Sequence, residues 1–204
     1  MRKLLLLFLT LSGTIVCDAQ DKEPLFHDAG IYSTFEWSAH EPLTVTPQVW
    51  IYLKDYYFEA RYNYEDLRTF SIYFGKSFYV DKKASIEITP MVGGVVGNIN
   101  GLSPGFNFAL EYLRFSTESQ TQYTFDLKYP GSSFFWDWTN FTFGLGKKLG
   151  VGGSVQVYLP KEGENSITAG PMVNYTIKNL LLEAYSYNFW EGHPLWAIGV
   201  QYTF

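Results

Sequence analysis

From residue 31 onward, apolar and polar residues alternate in short segments that recur roughly every fifteen positions. Successive side chains of an extended strand point to opposite faces, so each segment predicts one apolar face and one polar face. Phe, Tyr, Val and Leu dominate the first face, whereas Glu, Gln, Thr and Asn dominate the second. We predict an all-β chain of about twelve strands, or ten if two weak segments merge.

The final strand indicates which solvent meets the apolar face. Trp196, Ile198, Val200 and Tyr202 share one face with Phe204, the last residue of the sequence. A strand of this form closes a transmembrane barrel, in which apolar rings face lipid and polar residues face the lumen. A soluble barrel or sandwich also alternates, but it buries its apolar face in the core. The scarcity of bulky apolar residues on the polar face favours a closed antiparallel up-and-down transmembrane β-barrel.

The connections between strands divide into two groups, as expected for a barrel with both termini on the periplasmic side. Short charged turns are predicted on that side at residues 54–55, 81–83, 117–119, 147–148 and 178–179. Connections richer in proline and glycine are predicted on the outer side at residues 40–42, 65–66, 97–104, 130–133, 160–166 and 190–194. Pro47, Pro90 and Pro171 fall inside strands of a sheet that has no free edge, and we expect each to mark a bulge.

Residues 1–19 predict a secretory signal peptide. Arg2 and Lys3 precede an apolar stretch, residues 4–11, that is too short to span a bilayer as a helix. Cys17 and Ala19 supply small residues three and one positions before the predicted cleavage site. We therefore predict cleavage after Ala19 and export of the chain.

Cleavage has two consequences for the exported chain. It removes Cys17, the single cysteine, so residues 20–204 can form no disulfide and no thiol site. It also leaves residues 20–29 as a periplasmic segment that can cap the mouth of a barrel formed by residues 30–204. The alternative is a lipoprotein acylated at Cys17, which the bulky Val16 disfavours.

Charge and composition narrow the classes of function. The chain has 15 Lys and Arg against 20 Asp and Glu, and 19% of its residues are aromatic. An acidic chain without a basic run is a poor nucleic-acid binder, so we predict no nucleic-acid partner. No phosphate-binding, dinucleotide, zinc or calcium motif occurs, and we predict no cofactor and no metal. Trp136, Trp138 and Trp190 are assigned to the interfacial aromatic girdle, with a surface binding role as the alternative.

The signal peptide, the alternating segments and the terminal Phe204 together resemble the small outer-membrane β-barrel proteins of Gram-negative bacteria. In such proteins the barrel-assembly machinery reads a C-terminal strand that ends in phenylalanine. The resemblance implies an outer-membrane location, contact with outer-membrane lipid and assembly through the last strand. It extends over the chain as an architectural pattern, and no catalytic set of a known barrel enzyme matches residue by residue.

Ionisable residues on the polar face are the candidate functional residues. An uncompensated charge facing the middle of a bilayer costs about 2–4 kcal/mol, so these side chains are expected to point inward. The predicted lumen-lining set is Glu36, Glu59, Arg61, Asn63, Glu87, Glu111, Asp126, Lys128 and Glu183, with Glu65, Tyr32, Tyr52, Tyr57, Tyr73, Tyr158 and Tyr187 beside them.

Two hypotheses follow for the interior. The first is a non-conducting structural or surface-binding barrel, held shut by paired charges in which Arg61 bridges Glu59, Glu87 or Glu111. The second is a narrow passive channel, because about twelve strands enclose more space than the eight that side chains fill. An excess of carboxylates favours small cations or neutral polar solutes over anions. The passive channel is the leading hypothesis for a specific function, and the sequence does not identify the solute.

A third hypothesis is an outer-membrane lipid-modifying hydrolase with a histidine at the outer rim. His40 and His193 fall in the first and last outer connections, which are neighbours in a closed barrel. Glu36 and Ser38 share the strand face of His40, and a base, a hydroxyl and a carboxylate are the parts of an acyl-transfer site. Because short loops collect such residues by chance, we predict a barrel that is not an enzyme.

Overall fold

The computed structural model describes residues 29–39 and 42–204, and most of them lie in antiparallel strands. The strands are β1 (Ala29–Trp37), β2 (Thr44–Leu53), β3 (Tyr56–Tyr62), β4 (Phe70–Lys76), β5 (Phe78–Asp81), β6 (Ser85–Val96), β7 (Gly101–Tyr112), β8 (Phe115–Asp126), β9 (Phe134–Gly144), β10 (Leu149–Pro160), β11 (Ser166–Ile177), β12 (Leu180–Tyr187) and β13 (Leu195–Thr203). The predicted signal peptide, its cleavage site and residues 20–28 of the predicted periplasmic segment lie outside the described residues.

The sheet closes on itself. β4 and β5 both pair with β6 and form two segments of one crossing, so the barrel has twelve crossings. β1 pairs with β13, from Gly30 opposite Thr203 to Trp37 opposite Trp196. Within the described part of the chain, no helix is long and apolar enough to cross a membrane. The prediction of a closed antiparallel up-and-down barrel is confirmed.

The two faces of the sheet carry the inverted pattern of a membrane barrel. Outward rings such as Phe58 and Phe125 are 37% and 47% exposed on the barrel surface. Inward residues such as Thr89 and Thr124 are polar and fully buried. A soluble barrel or sandwich places the rings inside and the hydroxyls outside. The outward face is therefore lipid-facing, and the soluble alternative is excluded.

Four predicted connections lie at least partly inside strands, although residues 81–83 and 160–166 overlap them only at Asp81, Pro160 and Ser166. Residues 117–119, predicted as a periplasmic turn, belong to β8, and the turn before β8 consists of Leu113 and Arg114. Residues 101–104, predicted as part of an outer connection, begin β7. Neither segment alternates bulky apolar residues with polar ones, but pairing with neighbouring strands on both sides holds each of them extended.

The three strand prolines interrupt hydrogen bonds without changing the register. The pairing of β1 with β2 runs unbroken through Pro47, that of β6 with β7 through Pro90, and that of β10 with β11 through Pro171. No residue is inserted at these positions, so the prediction of bulges is wrong. Proline lacks only its own N–H, and the ladder resumes at the next residue. The gap between β4 and β5 lies beside Pro90.

Two of the three tryptophans assigned to the interfacial girdle point inward. Trp138 Nε1 donates a hydrogen bond of 2.9 Å to the buried Ser154 Oγ, and Trp136 packs edge-on against Tyr64 with 4.9 Å between ring centroids. The girdle assignment is therefore wrong for Trp136 and Trp138. Trp190 lies in the exposed segment between β12 and β13. In β9, aromatic residues occupy both faces, so alternation alone does not reveal which rings meet lipid.

One carboxylate faces outward among hydroxyl groups. Asp137 of β9 lies on the face opposite to Trp136 and Trp138, and its Oδ1 accepts hydrogen bonds from Ser119 Oγ at 3.0 Å and Thr121 Oγ1 at 2.5 Å. Its Oδ2 accepts a hydrogen bond from Thr139 Oγ1 at 2.9 Å. We call Asp137 and these three hydroxyl residues the outward polar cluster. The cluster departs from the expectation that every ionisable strand residue points into the lumen.

Candidate functional site

The lumen formed by the described residues contains cavities toward opposite ends of the barrel. The outer cavity has a volume of about 500 Å³, and its lining includes Ser38, Tyr158 and His193, at the end opposite the C-terminus. The inner cavity has a volume of about 140 Å³, and its lining includes Tyr52 and Gln201, nearer the C-terminal end. A solute that crosses the barrel has to pass both cavities and the region between them.

Aromatic rings separate the two cavities. Trp136 lines the outer cavity, and Trp138, two residues further along β9, lines the inner one. Trp138 stacks on Tyr32 of β1 with 5.9 Å between ring centroids and packs against the edge of Tyr185 of β12 at 6.0 Å. Tyr187 stacks on Tyr185 at 5.6 Å. We call these five residues the aromatic waist.

A buried arginine neutralises part of the acidic lining on one side of the lumen. Arg61 of β3 is 1% exposed, and its Nη2 donates a hydrogen bond of 2.8 Å to Glu59 Oε2. Its Nη1 donates a hydrogen bond of 2.7 Å to Gln122 Oε1 and lies 3.6 Å from Glu65 Oε1. A buried charge is tolerated only when paired and hydrogen-bonded in this way. Of the three predicted partners of Arg61, Glu59 is the one in contact.

Two tyrosines enclose the same guanidinium. The Arg61 Cζ lies 4.1 Å from the ring centroid of Tyr73 and 4.4 Å from that of Tyr64. Tyr73 donates a hydrogen bond of 2.8 Å to Glu65 Oε1, and Tyr64 donates one to Gln120 Oε1. These cation–π contacts and hydrogen bonds fill the lumen beside β3 and β4. The filling matches the structural hypothesis on this side of the barrel.

Glu87 and Glu183 face the lumen with hydroxyl partners instead of cations. Glu87 Oε1 accepts hydrogen bonds from Tyr52 at 3.1 Å and Thr89 at 3.0 Å. Glu183 Oε2 accepts a hydrogen bond of 3.0 Å from Tyr32. Both glutamates are buried and line the inner cavity. They supply negative charge that no neighbouring arginine or lysine of the described chain neutralises through an ion pair.

Three residues of the predicted lumen set are engaged in turns. Asp126 is buried, and its Oδ1 accepts hydrogen bonds from the backbone N–H groups of Lys128 and Tyr129 at the end of β8. Lys128 is exposed beyond β8 and does not line the lumen, since its strand ends two residues earlier. Asn63 follows β3 with a φ of 58°, and its side chain bonds the backbone of Val45 and Arg68. The side chains of Asp126 and Asn63 therefore stabilise turns.

The remaining two members of the predicted set lie near the ends of their strands. Glu36 is half-buried on the inward face of β1 near the outer cavity. Glu111 is exposed near the end of β7, and it does not line the inner cavity. Neither contacts Arg61. The predicted bridges from Arg61 to Glu87 and Glu111 are therefore wrong.

Sequence reasoning missed one lumen carboxylate, Glu118, because it assigned residues 117–119 to a turn. Glu118 lies in β8 and lines the inner cavity. Its carboxylate has no hydrogen-bond or ion-pair partner among the described residues. The signal was present in the sequence, since Glu118 and Gln120 continue the inward parity of Gln122 and Thr124.

The inner cavity is strongly acidic. Glu59, Glu87, Glu118 and Glu183 line it, and no lysine or arginine of residues 29–39 or 42–204 does so. Carboxylates behind low-dielectric walls focus a negative potential into such a cleft. In the same described ranges, no group of three or more His, Cys, Asp or Glu side chains is arranged to hold a metal ion.

The predicted rim site is only partly described. Ser38 and His193 both line the outer cavity, so the closed sheet does bring the first and last outer connections together. His40, another group of that hypothesis, lies outside the described residues. The outer cavity therefore carries two of the groups that the hydrolase hypothesis invoked.

The barrel shares its fold with solved porin structures. A KdgM porin in complex with disordered oligogalacturonate has a TM-score of 0.57 at 14% sequence identity, covering 86% of this chain and 99% of that chain. A NanC porin has a TM-score of 0.58 at 7% identity, covering 86% and 100%. The Acinetobacter baumannii outer membrane protein Omp33 has a TM-score of 0.50 at 12% identity, covering 89% and 100%. At these identities the similarity establishes a common fold.

No family model matches the chain, and no curated protein matches it. The comparison with solved structures is therefore the one that found similar proteins, and the similarity covers nearly the whole length of those chains. The predicted resemblance to small outer-membrane barrels is confirmed at the level of fold. The shared fold also supports the predicted outer-membrane location.

Proposed function

We propose that this protein is a narrow passive channel of the outer membrane for small cations and neutral polar solutes. The observation that carries the proposal is the pair of cavities toward opposite ends of the lumen, divided by the aromatic waist. If the inward side chains served only to fill the barrel, open cavities at both ends of the lumen would not be expected. Twelve crossings also enclose more room than the eight that side chains alone fill.

The charge of the lining supports the choice of solute. Four glutamates line the inner cavity, and the buried Arg61 is occupied by Glu59 and Glu65. Negative groups along a pore attract cations and repel anions. The KdgM porin structure holds an oligogalacturonate, an acidic sugar chain. We expect this lumen to reject such polyanions, because four glutamates and no lysine or arginine of the described residues line its inner cavity.

The alternative is a non-conducting barrel with a structural or surface-binding role. The Arg61 network supports it on one side of the lumen, where rings and paired charges leave little space. On the other side Glu118 has no partner in the described chain, which a self-paired filling does not explain. The channel is therefore the better account of the whole lumen.

Planar-bilayer recording tests the proposal. The purified protein should produce a small steady conductance, and a salt gradient should shift the reversal potential toward that of the cation. Replacing Glu118 and Glu183 together by glutamine should reduce this preference. Replacing Glu162 and Glu164, which are exposed outside the strands, should leave it unchanged. Absence of conductance, or a preference for anions, rejects the proposal.

We further propose that the outward face contacts outer-membrane lipid and that the barrel-assembly machinery binds β13. Trp196, Ile198 and Tyr202 are exposed on the outward face of β13, and the ring of Phe204 packs edge-on against Tyr202 at 5.5 Å. An exposed apolar strand end of this kind suits recognition during insertion. Both proposals rest on the position of this strand beside β1, where the barrel closes.

A further inference from the structure

Three of the four glutamates of the inner cavity approach it from evenly separated strands. Glu59 lies on β3, Glu118 on β8 and Glu183 on β12, which are the third, seventh and eleventh of the twelve crossings. Because the crossings form a closed ring, these carboxylates surround the cavity from three sides. Glu87 of β6 adds a fourth carboxylate. A cationic ligand in the cavity would meet negative charge in every direction.

Buried polar atoms without partners point to a ligand in the same cavity. Glu87 Oε2 and Asn140 Oδ1 have no hydrogen-bond partner among the described residues, although Glu87 is 2% and Asn140 8% exposed. Asn107 Oδ1 is a third such acceptor. All three residues line the inner cavity. A buried acceptor without a donor is destabilising, so the cavity presents acceptors that a ligand with several N–H groups satisfies.

Aromatic rings line the cavity between the carboxylates. Tyr52 and Tyr57 pack at 5.0 Å between centroids, and Trp50 packs against them. Tyr32 and Trp138 stack on another part of the lining. Ring faces attract ammonium groups, and they attract them more strongly where water is excluded. Acidic groups combined with ring faces match an organic cation better than a bare metal ion, which needs several oxygen ligands in direct contact.

The size of the cavity limits the ligand. Its volume of about 140 Å³ is far below the usual volume of a drug-sized binding pocket. At about 30 Å³ for one water molecule, a ligand of a few heavy atoms fits. A short aliphatic amine combines this size with a cationic head, several N–H donors and a slim apolar body for the rings.

We propose that the inner cavity binds small aliphatic ammonium ions as a resting site on the route through the lumen. The ligand's N–H groups donate to Glu118 and to the unpartnered acceptors of Glu87 and Asn140, and its carbon chain lies against Trp50 and Tyr57. The inference rests on the proposed channel only for the route by which the amine enters. Binding itself does not require conduction.

Calorimetric titration of the full chain in detergent micelles tests the site, with 1,4-diaminobutane as the probe and 1,4-butanediol as its neutral counterpart. Glu118→Gln should weaken diamine binding about tenfold, because one charge-assisted contact is lost. The Glu118 carboxylate makes no hydrogen bond within the described barrel, so this change should leave folding intact. Glu111→Gln, an exposed glutamate outside the cavity, is the matched control and should change binding less than about twofold.

Three outcomes overturn the inference: diol binding as tight as diamine binding, equal effects of the two glutamine variants, or displacement of the diamine by sodium or calcium at equal concentration. Amine binding without bilayer conductance supports the site and rejects the channel. Conductance without amine binding rejects the site and supports the channel. The two proposals therefore fail separately.

Discussion

At the scale of single residues, ionisable side chains of the barrel are compensated either by an ion pair or by hydroxyl groups alone. Arg61 points inward and is paired with Glu59 and Glu65 between two rings. Asp137 points outward and accepts hydrogen bonds from hydroxyl groups alone. Hydroxyls spread a negative charge without cancelling it, so the outward carboxylate keeps a larger solvation penalty in lipid.

Removal of the buried cation should be costly. Arg61→Met keeps much of the side-chain volume and leaves Glu59 and Glu65 unpaired, which should lower the free energy of unfolding by about 3–5 kcal/mol. Urea unfolding of the barrel in lipid bilayers measures the change. Adding Glu59→Gln to Arg61→Met should recover part of the loss, because it removes one of the uncompensated charges. Equal unfolding midpoints for Arg61→Met and the unaltered protein would contradict the role given to the pair.

Removal of the outward charge should have the opposite sign. Asp137→Asn keeps an amide that hydrogen-bonds the neighbouring hydroxyls and loses the ionised group, so stability in bilayers should rise by about 1 kcal/mol at pH 8. Asp66→Asn, in an exposed turn, is the control and should leave stability unchanged. The same urea titration measures both variants. A loss of stability in Asp137→Asn would mean that the carboxylate is stabilising where it stands.

At the scale of strands, the clearest predictions came from strands with one apolar and one polar face. β3 and β13 are of this kind, and their inward and outward residues follow the alternation. β8 is polar on both faces along much of its length, and β9 is aromatic on both faces. For such strands the period of two still holds, but nothing local says which face meets lipid. Trp138 was misplaced and Asp137 was missed for this reason, whereas Glu118 was missed because its polar segment was assigned to a turn.

The aromatic waist gives a prediction for β9. Trp138→Ala removes the indole that lies between Tyr32 and Tyr185, so single-channel conductance should rise by about twofold or more. Trp190→Ala, in the exposed segment before β13, should leave conductance unchanged. Planar-bilayer recording measures both variants, and a heat-induced gel shift checks that each barrel folds. An unchanged conductance in the folded Trp138→Ala protein would place the narrowest point elsewhere.

At the scale of the whole molecule, charge of opposite sign lies at different depths. The turns at the end that carries the C-terminus hold Lys54, Lys82, Lys83, Arg114, Lys147, Lys148 and Lys178. The inner cavity behind them is lined by glutamates. Exposed turn charges are screened over about 10 Å at moderate salt, whereas charges behind low-dielectric walls are screened much less. Selectivity therefore belongs to the lumen and not to the basic turns.

The pattern of residues alone specifies a transmembrane β-barrel. Alternation with a period of two, rings on one face and a terminal phenylalanine specify a strand whose apolar side meets lipid, and the solvent then forces most ionisable groups inward. Inward placement of Glu59, Glu87 and Glu183 follows from that rule alone. The hydrogen-bond partners of these inward side chains do not all follow from that rule. Many partners come from distant strands, which the closed sheet places across the lumen.

The three-dimensional structure was needed to show that Arg61 bonds Gln122, that Glu87 bonds Tyr52, and that Glu118 and Glu183 share one cavity. Register between neighbours and closure between β1 and β13 set these distances, and both are collective properties of all twelve crossings. The sequence of a single strand indicates the face on which each side chain lies. It does not indicate which residues lie across the lumen from that side chain.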